Sequence, residues 1–164
     1  MRRTGCFRIY TAASYRHVHA VKLFHELLRS RISDIEILDW TSLTTPPEGM
    51  TPAERRAWMD SDTSGNIFEF CRKSCTSADV VIYFGESGQD AGIEIGMAAQ
   101  AGIPVIGLRG PLEAPGLMLY GAVSEWYTEA LEVVARLEEM AAEAAHGNVS
   151  PAFLEKHQEY REAV

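Results

Sequence analysis

The sequence predicts a single α/β domain: a doubly wound parallel sheet, Rossmann-like or flavodoxin-like, with helices on both faces. Three observations predict it. Short β-prone runs alternate with segments of helical period in a βαβαβαβα pattern. The run DVVIYFG reads as a deeply buried strand. A chain of 164 residues, 46% hydrophobic and 23% charged, has the length and composition of one ordinary globular domain with a real core.

Each element has its own signal. CFRIYTAA (6–13) is the first β-prone run, with its strand expected over 7–11. SYRHVHAVKLFHELLRS (14–30) follows as a helix whose Val21, Phe24, Leu27 and Leu28 share a face, with Val18 at its edge and Ser14 able to cap its start. DIEILDW (34–40) alternates as a strand over 34–38, and the proline-containing TSLTTPPEGM (41–50) reads as a loop. In TPAERRAW a capping threonine, a proline at the first helical position and an early glutamate open a second helix, which falters near DSDTSGN and resumes through IFEFCRKSC. Further strands are expected over 79–84 and 103–107, with a short helix starting near Asp90 between them. SEWYTEALEVVARLEEMAAEAA (124–145) reads as one long amphipathic helix capped by Ser124. The domain is thus expected over 1–146, and residues 147–164 read as a C-terminal tail used for docking or oligomer contact.

Composition excludes several function classes. A net charge of −8 argues against a binder of nucleic-acid polymers, which needs a basic face to displace counterions. Cys6, Cys71 and Cys75 form neither a disulfide framework nor a zinc motif, and the simplest reading is reduced thiols in a cytoplasm. Cys71 and Cys75 share a helical face and read as small core hydrophobes. The basic Met1-Arg2-Arg3 start is followed by too short an apolar run for a signal peptide, and no stretch reaches the length of a membrane span. No Gly-x-Gly-x-x-Gly follows the first strand, so no dinucleotide cofactor is expected. No metal is expected either, since His17 and His19 do not share a helical face.

In a doubly wound sheet, ligands bind beyond the carboxyl ends of the strands, near the starts of the following helices. YTAASYR and GESGQDAGIE both fall at that edge. The second leads into GIEIGMAAQAGIPVIGL (92–108), where Glu94 is the lone acid. Near a helix start a carboxylate is expected to stay ionised. Gly92 and Gly96 each cost the helix on the order of 1 kcal/mol relative to alanine, so close approach by a ligand or a neighbouring element is expected to compensate. Taken singly, each candidate has a plainer reading: Glu94 as a helix-start acid, Arg16 as a solvated surface arginine, Tyr10 as a core aromatic, Ser14 as a helix cap.

Over most of residues 7–145 the chain resembles the nucleoside 2-deoxyribosyltransferase superfamily. ADVVIYFGESGQDAGIEIGMAAQAGIPVIGL is similar to that superfamily's active-site segment, with Glu94-Ile95-Gly96 on its Glu-x-Gly core. IYTAASYR resembles the corresponding segment of the branch that hydrolyses deoxynucleoside 5′-monophosphates. The resemblance implies Glu94 as the catalytic glutamate acting at C1′, with Tyr10 beside it and the sugar, and Ser14 and Arg16 on the phosphate. It also implies that Gly85, Ser87, Gly88, Asp90 and Gly92 line the substrate. GLMLYGAVSEW is similar to the segment that reaches a neighbouring subunit's site, which implies a substrate contact for Met118 and a homodimer or higher homo-oligomer. The implied partner is a small-molecule nucleoside or nucleotide.

The chain also departs from the pattern. An acid that usually precedes the ADVV strand by about two helical turns falls near Cys71, with Glu69 or the Asp60-Ser61-Asp62 run as substitutes, and a phosphate-contacting serine falls at Gly88, beside Ser87. Gly116 stands where an asparagine often precedes Leu-Met. Three classes follow: an enzyme of N-glycosidic bond chemistry on a 2′-deoxynucleoside or its 5′-monophosphate, a non-catalytic nucleotide-sensing module on the same fold, or an interaction protein whose Gly-x-x-x-Gly packs helices.

Overall fold

A computed structural model of the chain describes residues 6–43 and 45–146. Its centre is a five-stranded sheet in the order β2-β1-β3-β4-β5, with every adjacent pair parallel. The strands are β1 (Phe7–Ala13), β2 (Ile35–Leu38), β3 (Val80–Phe84), β4 (Val105–Leu108) and β5 (Glu125–Tyr127). Parallel neighbours need crossover connections. Here these carry α1 (Val18–Arg31), α2 (Pro52–Met59), α3 (Asp62–Ser77), α4 (Gln89–Gln100) and α5 (Leu117–Ala122), and α6 (Ala130–Ala145) follows the last strand. The order is that of a flavodoxin-like doubly wound sheet. Its direction of winding reverses between β1 and β3, and the crevice at that point is where such sheets bind ligands.

The alternation of side chains along β1, β3 and β4 feeds two cores. Ile9, Val80, Ile82 and Ile106 pack with Phe24 and Leu28 of α1 and Val133, Val134 and Leu137 of α6. Tyr10, Ala12, Val81, Tyr83 and Val105 face the other way, against Cys75 of α3 and Ala91, Ile95 and Ala98 of α4. A strand covered on both sides must be apolar at consecutive positions, which is why Val80 to Tyr83 reads as an unbroken hydrophobic run.

Start signals behave as expected at α2. The Thr51 hydroxyl accepts from the Glu54 amide at 3.3 Å while the Thr51 amide donates to Glu54 Oε2 at 2.8 Å, and Pro52 opens the helix. A break at Asp60 and Ser61 separates α2 from α3, where the sequence falters. Ser14 caps a single 3-10 turn, Tyr15–His17, ahead of α1 rather than α1 itself. The expected loop over 41–50 begins inside another 3-10 turn, Trp40–Ser42, because Asp39 Oδ1 accepts from both the amide and the hydroxyl of Thr41.

The segment 124–145 is not one helix. Its first residues form β5, pairing Ile106 with Glu125 and Leu108 with Tyr127, and α6 starts only at Ala130. The physical reason lies in the sheet: the Ser124 amide donates to the Val105 carbonyl at 2.9 Å, and Trp126 lies over Gly107, where any Cβ would collide with its ring. Tertiary pairing here overrides a helical period that continues by chance into a short edge strand. The tail over 147–164 and the basic N-terminal start lie outside the described residues. Among the described residues no helix is long and apolar enough to cross a membrane.

Candidate active site

Tyr10 comes from the middle of β1 and is wholly buried on the α3/α4 side of the sheet. α4 packs Ala91, Ile95 and Ala98 onto that same side, and this turns the adjacent Glu94 toward β1. The Tyr10 hydroxyl donates to Glu94 Oε1 at 2.8 Å. The Cys71 thiol of α3 borders both groups and influences the charge of Glu94.

Electrostatics correct one sequence expectation. Glu94 does not behave as a helix-start acid that stays ionised: burial pushes it up to about 7, and the donors Tyr10 and Cys71 only partly offset this. It sits beyond the first turn of α4, where the helix dipole has faded. Burial, then the Glu94 charge, raises Tyr10, so its phenol keeps its proton as a donor. Burial likewise pushes Cys71 up to about 11, leaving it a neutral thiol near neutral pH. The arrangement is a carboxylate poised to exchange between its two protonation states, held by the Tyr10 hydroxyl, which does not titrate with it.

The loops around this pair meet at the crevice. The Ser14 amide donates to Ser87 Oγ at 3.0 Å, and the Arg16 amide donates to Ser14 Oγ at 3.3 Å. Arg16 is exposed, and its guanidinium has no hydrogen bond or ion pair among the described residues. Ser87 is engaged internally: its hydroxyl donates to the Phe84 carbonyl and its amide donates to the Tyr83 hydroxyl at 3.2 Å. Ser87 therefore braces two loops together. Gly88 caps α4 without a side-chain partner, which leaves the first amides of that helix open to a small anion. Asp90 is exposed in the same first turn and is a minor contributor to the rise of Glu94.

Among the described residues, and apart from the adjoining residues and the helix's own backbone, no atom lies within 4 Å of where a Cβ would stand at Gly88, Gly92 or Gly96. Among the described residues no other element therefore packs on the Gly-x-x-x-Gly of α4, and the space beside Gly88 and Gly92 is open. Gly85 differs, because a Cβ there would overlap the carboxylate of Glu113. Met118, on α5, is 85% exposed and does not reach this cluster within the single chain. Glu69 is drawn to the surface by Arg72 and Lys73 and does not replace the acid expected near Cys71. Among the described residues no group of three His, Cys, Asp or Glu could hold a metal.

Two residues that sequence reading did not single out stand at the same edge. The Tyr15 and Trp40 rings meet edge to face at 5.0 Å, and the Trp40 indole donates to the Thr11 carbonyl at 2.6 Å. Burial raises Tyr15, with smaller contributions from the charges of Cys71, Glu94 and Asp90. Tyr15 stands between Ser14 and Arg16 in the motif that drew attention to both. Trp40 carries no such signal, since it closes a strand run from which only a tertiary contact could pick it out.

No family model and no curated protein matches the chain. Solved structures do. A conserved protein from Enterococcus faecalis V583 superposes with a TM-score of 0.55 at 13% identity, covering 82% of this chain and 98% of that one. A 2-deoxyribosyltransferase from Bacillus psychrosaccharolyticus gives a TM-score of 0.50 at 18% identity, covering 77% and 90%. The CMP N-glycosidase BcmB of Clostridium botulinum gives 0.48 at 18%, covering 80% and 98%. The first two likenesses are of fold.

Proposed function

We propose that the protein cleaves or transfers the N-glycosidic bond of a 2′-deoxynucleoside or its 5′-monophosphate, with Glu94 acting at C1′. The observation that carries this reading is the buried Tyr10–Glu94 hydrogen bond at the winding-reversal crevice, beside open space at Gly88 and Gly92 and an Arg16 whose guanidinium has no partner among the described residues. The known activity of the 2-deoxyribosyltransferase of like fold supports it. Departure of the base leaves an oxocarbenium-like sugar, and an ionised Glu94 below the ring stabilises that charge or bonds to C1′. In the covalent form the C1′–N bond electrons leave with the base, which takes up a proton. Water then attacks C1′ and frees Glu94 in a hydrolase, whereas a second base does so in a transferase. Tyr10 holds the carboxylate in place, and Arg16 with the first amides of α4 receives a 5′-phosphate.

The test is release of free base from a panel of deoxynucleosides and their monophosphates. Glu94→Ala is expected to abolish release while the variant stays folded, because the lost group acts mainly on the transition state. Near-normal turnover in that variant removes Glu94 from the mechanism. Tight nucleotide binding without base release by the wild-type chain establishes the sensing module instead.

A further inference from the structure

Glu113 lies in the β4–α5 connection, outside every motif considered so far, yet it is tied to the β3–α4 loop. Its Oε1 accepts from the Tyr83 hydroxyl, and its Oε2 accepts from the Gly110 amide at 3.2 Å. The carboxylate occupies the space that a Cβ at Gly85 would need. Tyr83 is 1% exposed and continues the pleat of β3 on the Tyr10 side of the sheet. A phenol has one proton to give and lone pairs with which to accept. Once that proton is directed at Glu113, the rotor is fixed and a lone pair faces the Ser87 amide, which donates to it at 3.2 Å. Ser87 in turn accepts from the Ser14 amide through its hydroxyl. A continuous chain of hydrogen bonds thus runs from Glu113 through Tyr83 and Ser87 to Ser14, beside Arg16 and the uncapped start of α4.

We propose that Glu113 is a positioning residue for the phosphate end of the site: by locking the Tyr83 hydroxyl it sets the β3–α4 loop, and through Ser87 the β1–α1 turn, in the geometry that receives a 5′-phosphate. This rests on the reading of the site as one for nucleotides. The protonation of Tyr83 agrees with it. Burial and the Glu113 hydrogen bond push that phenol up to about 12, so it remains a donor at neutral pH. The effect belongs to the phosphate end because nothing in the chain of bonds passes through Tyr10 or Glu94.

The experiment compares Glu113→Ala, Tyr83→Phe and the double variant for the four common deoxynucleosides and their 5′-monophosphates, with thermal melting to verify folding. Each single variant is expected to raise KM for monophosphates by about tenfold, with kcat and the nucleoside KM within about twofold of wild type. The double variant is expected to lose no more than either single one, because both break the same link. Equal losses on nucleosides and monophosphates, or additive losses in the double variant, overturn the proposal. If the wild-type chain releases no base, the cleavage reading fails separately, and calorimetric binding of the same compounds decides Glu113: selective loss of monophosphate binding in the variants supports it. Unchanged monophosphate binding in the variants, or a wild-type chain that binds no monophosphate, overturns it.

Discussion

The Tyr10 hydroxyl and the Glu94 carboxylate, 84 residues apart in sequence, are joined by a 2.8 Å hydrogen bond between β1 and α4. Burial works against the Glu94 charge and this bond works for it, so the two oppose each other on one titration. Tyr10→Phe removes a donor that favours the ionised form, and the Glu94 pKa is then expected to rise above its wild-type value of about 7. If cleavage needs the carboxylate, kcat/KM rises with pH through the Glu94 pKa and then levels. That acid limb is expected to move to higher pH in Tyr10→Phe. A pH–rate profile checks it, and an unmoved limb would show that the bond does not tune Glu94.

Stability carries the same titration with its own sign. A carboxyl whose pKa is raised on folding favours the native state when protonated, so its contribution is fully present below the unfolded value and is lost as pH rises through the folded value of about 7. Glu94→Gln keeps the neutral shape without that loss. Its melting temperature is expected to exceed that of wild type above about pH 8, by an amount equivalent to at most about 3 kcal/mol, and to converge with it near about pH 4. Melting curves across that range decide the matter. A gap that does not vary with pH would assign the difference to packing.

Arg16 is free to engage a phosphate because nothing in the described chain engages it. Arg16→Ala is expected to weaken monophosphates selectively, by roughly 1.5 to 3 kcal/mol in kcat/KM if the guanidinium makes a charge-assisted bond. Steady-state kinetics on matched nucleoside and monophosphate pairs measure it. Equal losses on both would place Arg16 away from the phosphate.

Leu117, Met118 and Tyr120 leave large apolar surface on α5, at 86%, 85% and 59% exposure. Such a group of neighbours is expected to be covered by a second copy of the chain. Met118→Asp would place a charge in that contact, and light scattering with an activity assay is expected to show both association and turnover reduced. A dimer indifferent to the change would put the interface elsewhere.

How far the sequence alone reaches is clearest at three places. The two-sided burial of Val80 to Tyr83 is written in consecutive apolar residues, and the start of α2 in a threonine, a proline and a glutamate, because these signals are local and act within a few residues. As candidates, the lone acid in an apolar, glycine-spaced helix and the Tyr10, Ser14 and Arg16 spacing could likewise be picked out from short stretches of sequence, Ser14 and Arg16 at the turn that follows β1, Tyr10 within β1 and Glu94 within α4. The protonation state of Glu94 could not. It depends on how much water the packed sheet and helices remove and on which donors remain, and a sequence does not contain that balance. Nor did local period reveal β5, whose three residues become a strand only because β4 offers an open edge and Gly107 leaves room for Trp126. The link from Glu113 to Tyr83 is of the same kind, joining residues 30 positions apart whose meeting is decided by loop closure over the sheet. Local chemistry thus determined the elements and the candidate residues, while solvent exclusion and long-range contact decided their charge, their partners and their geometry.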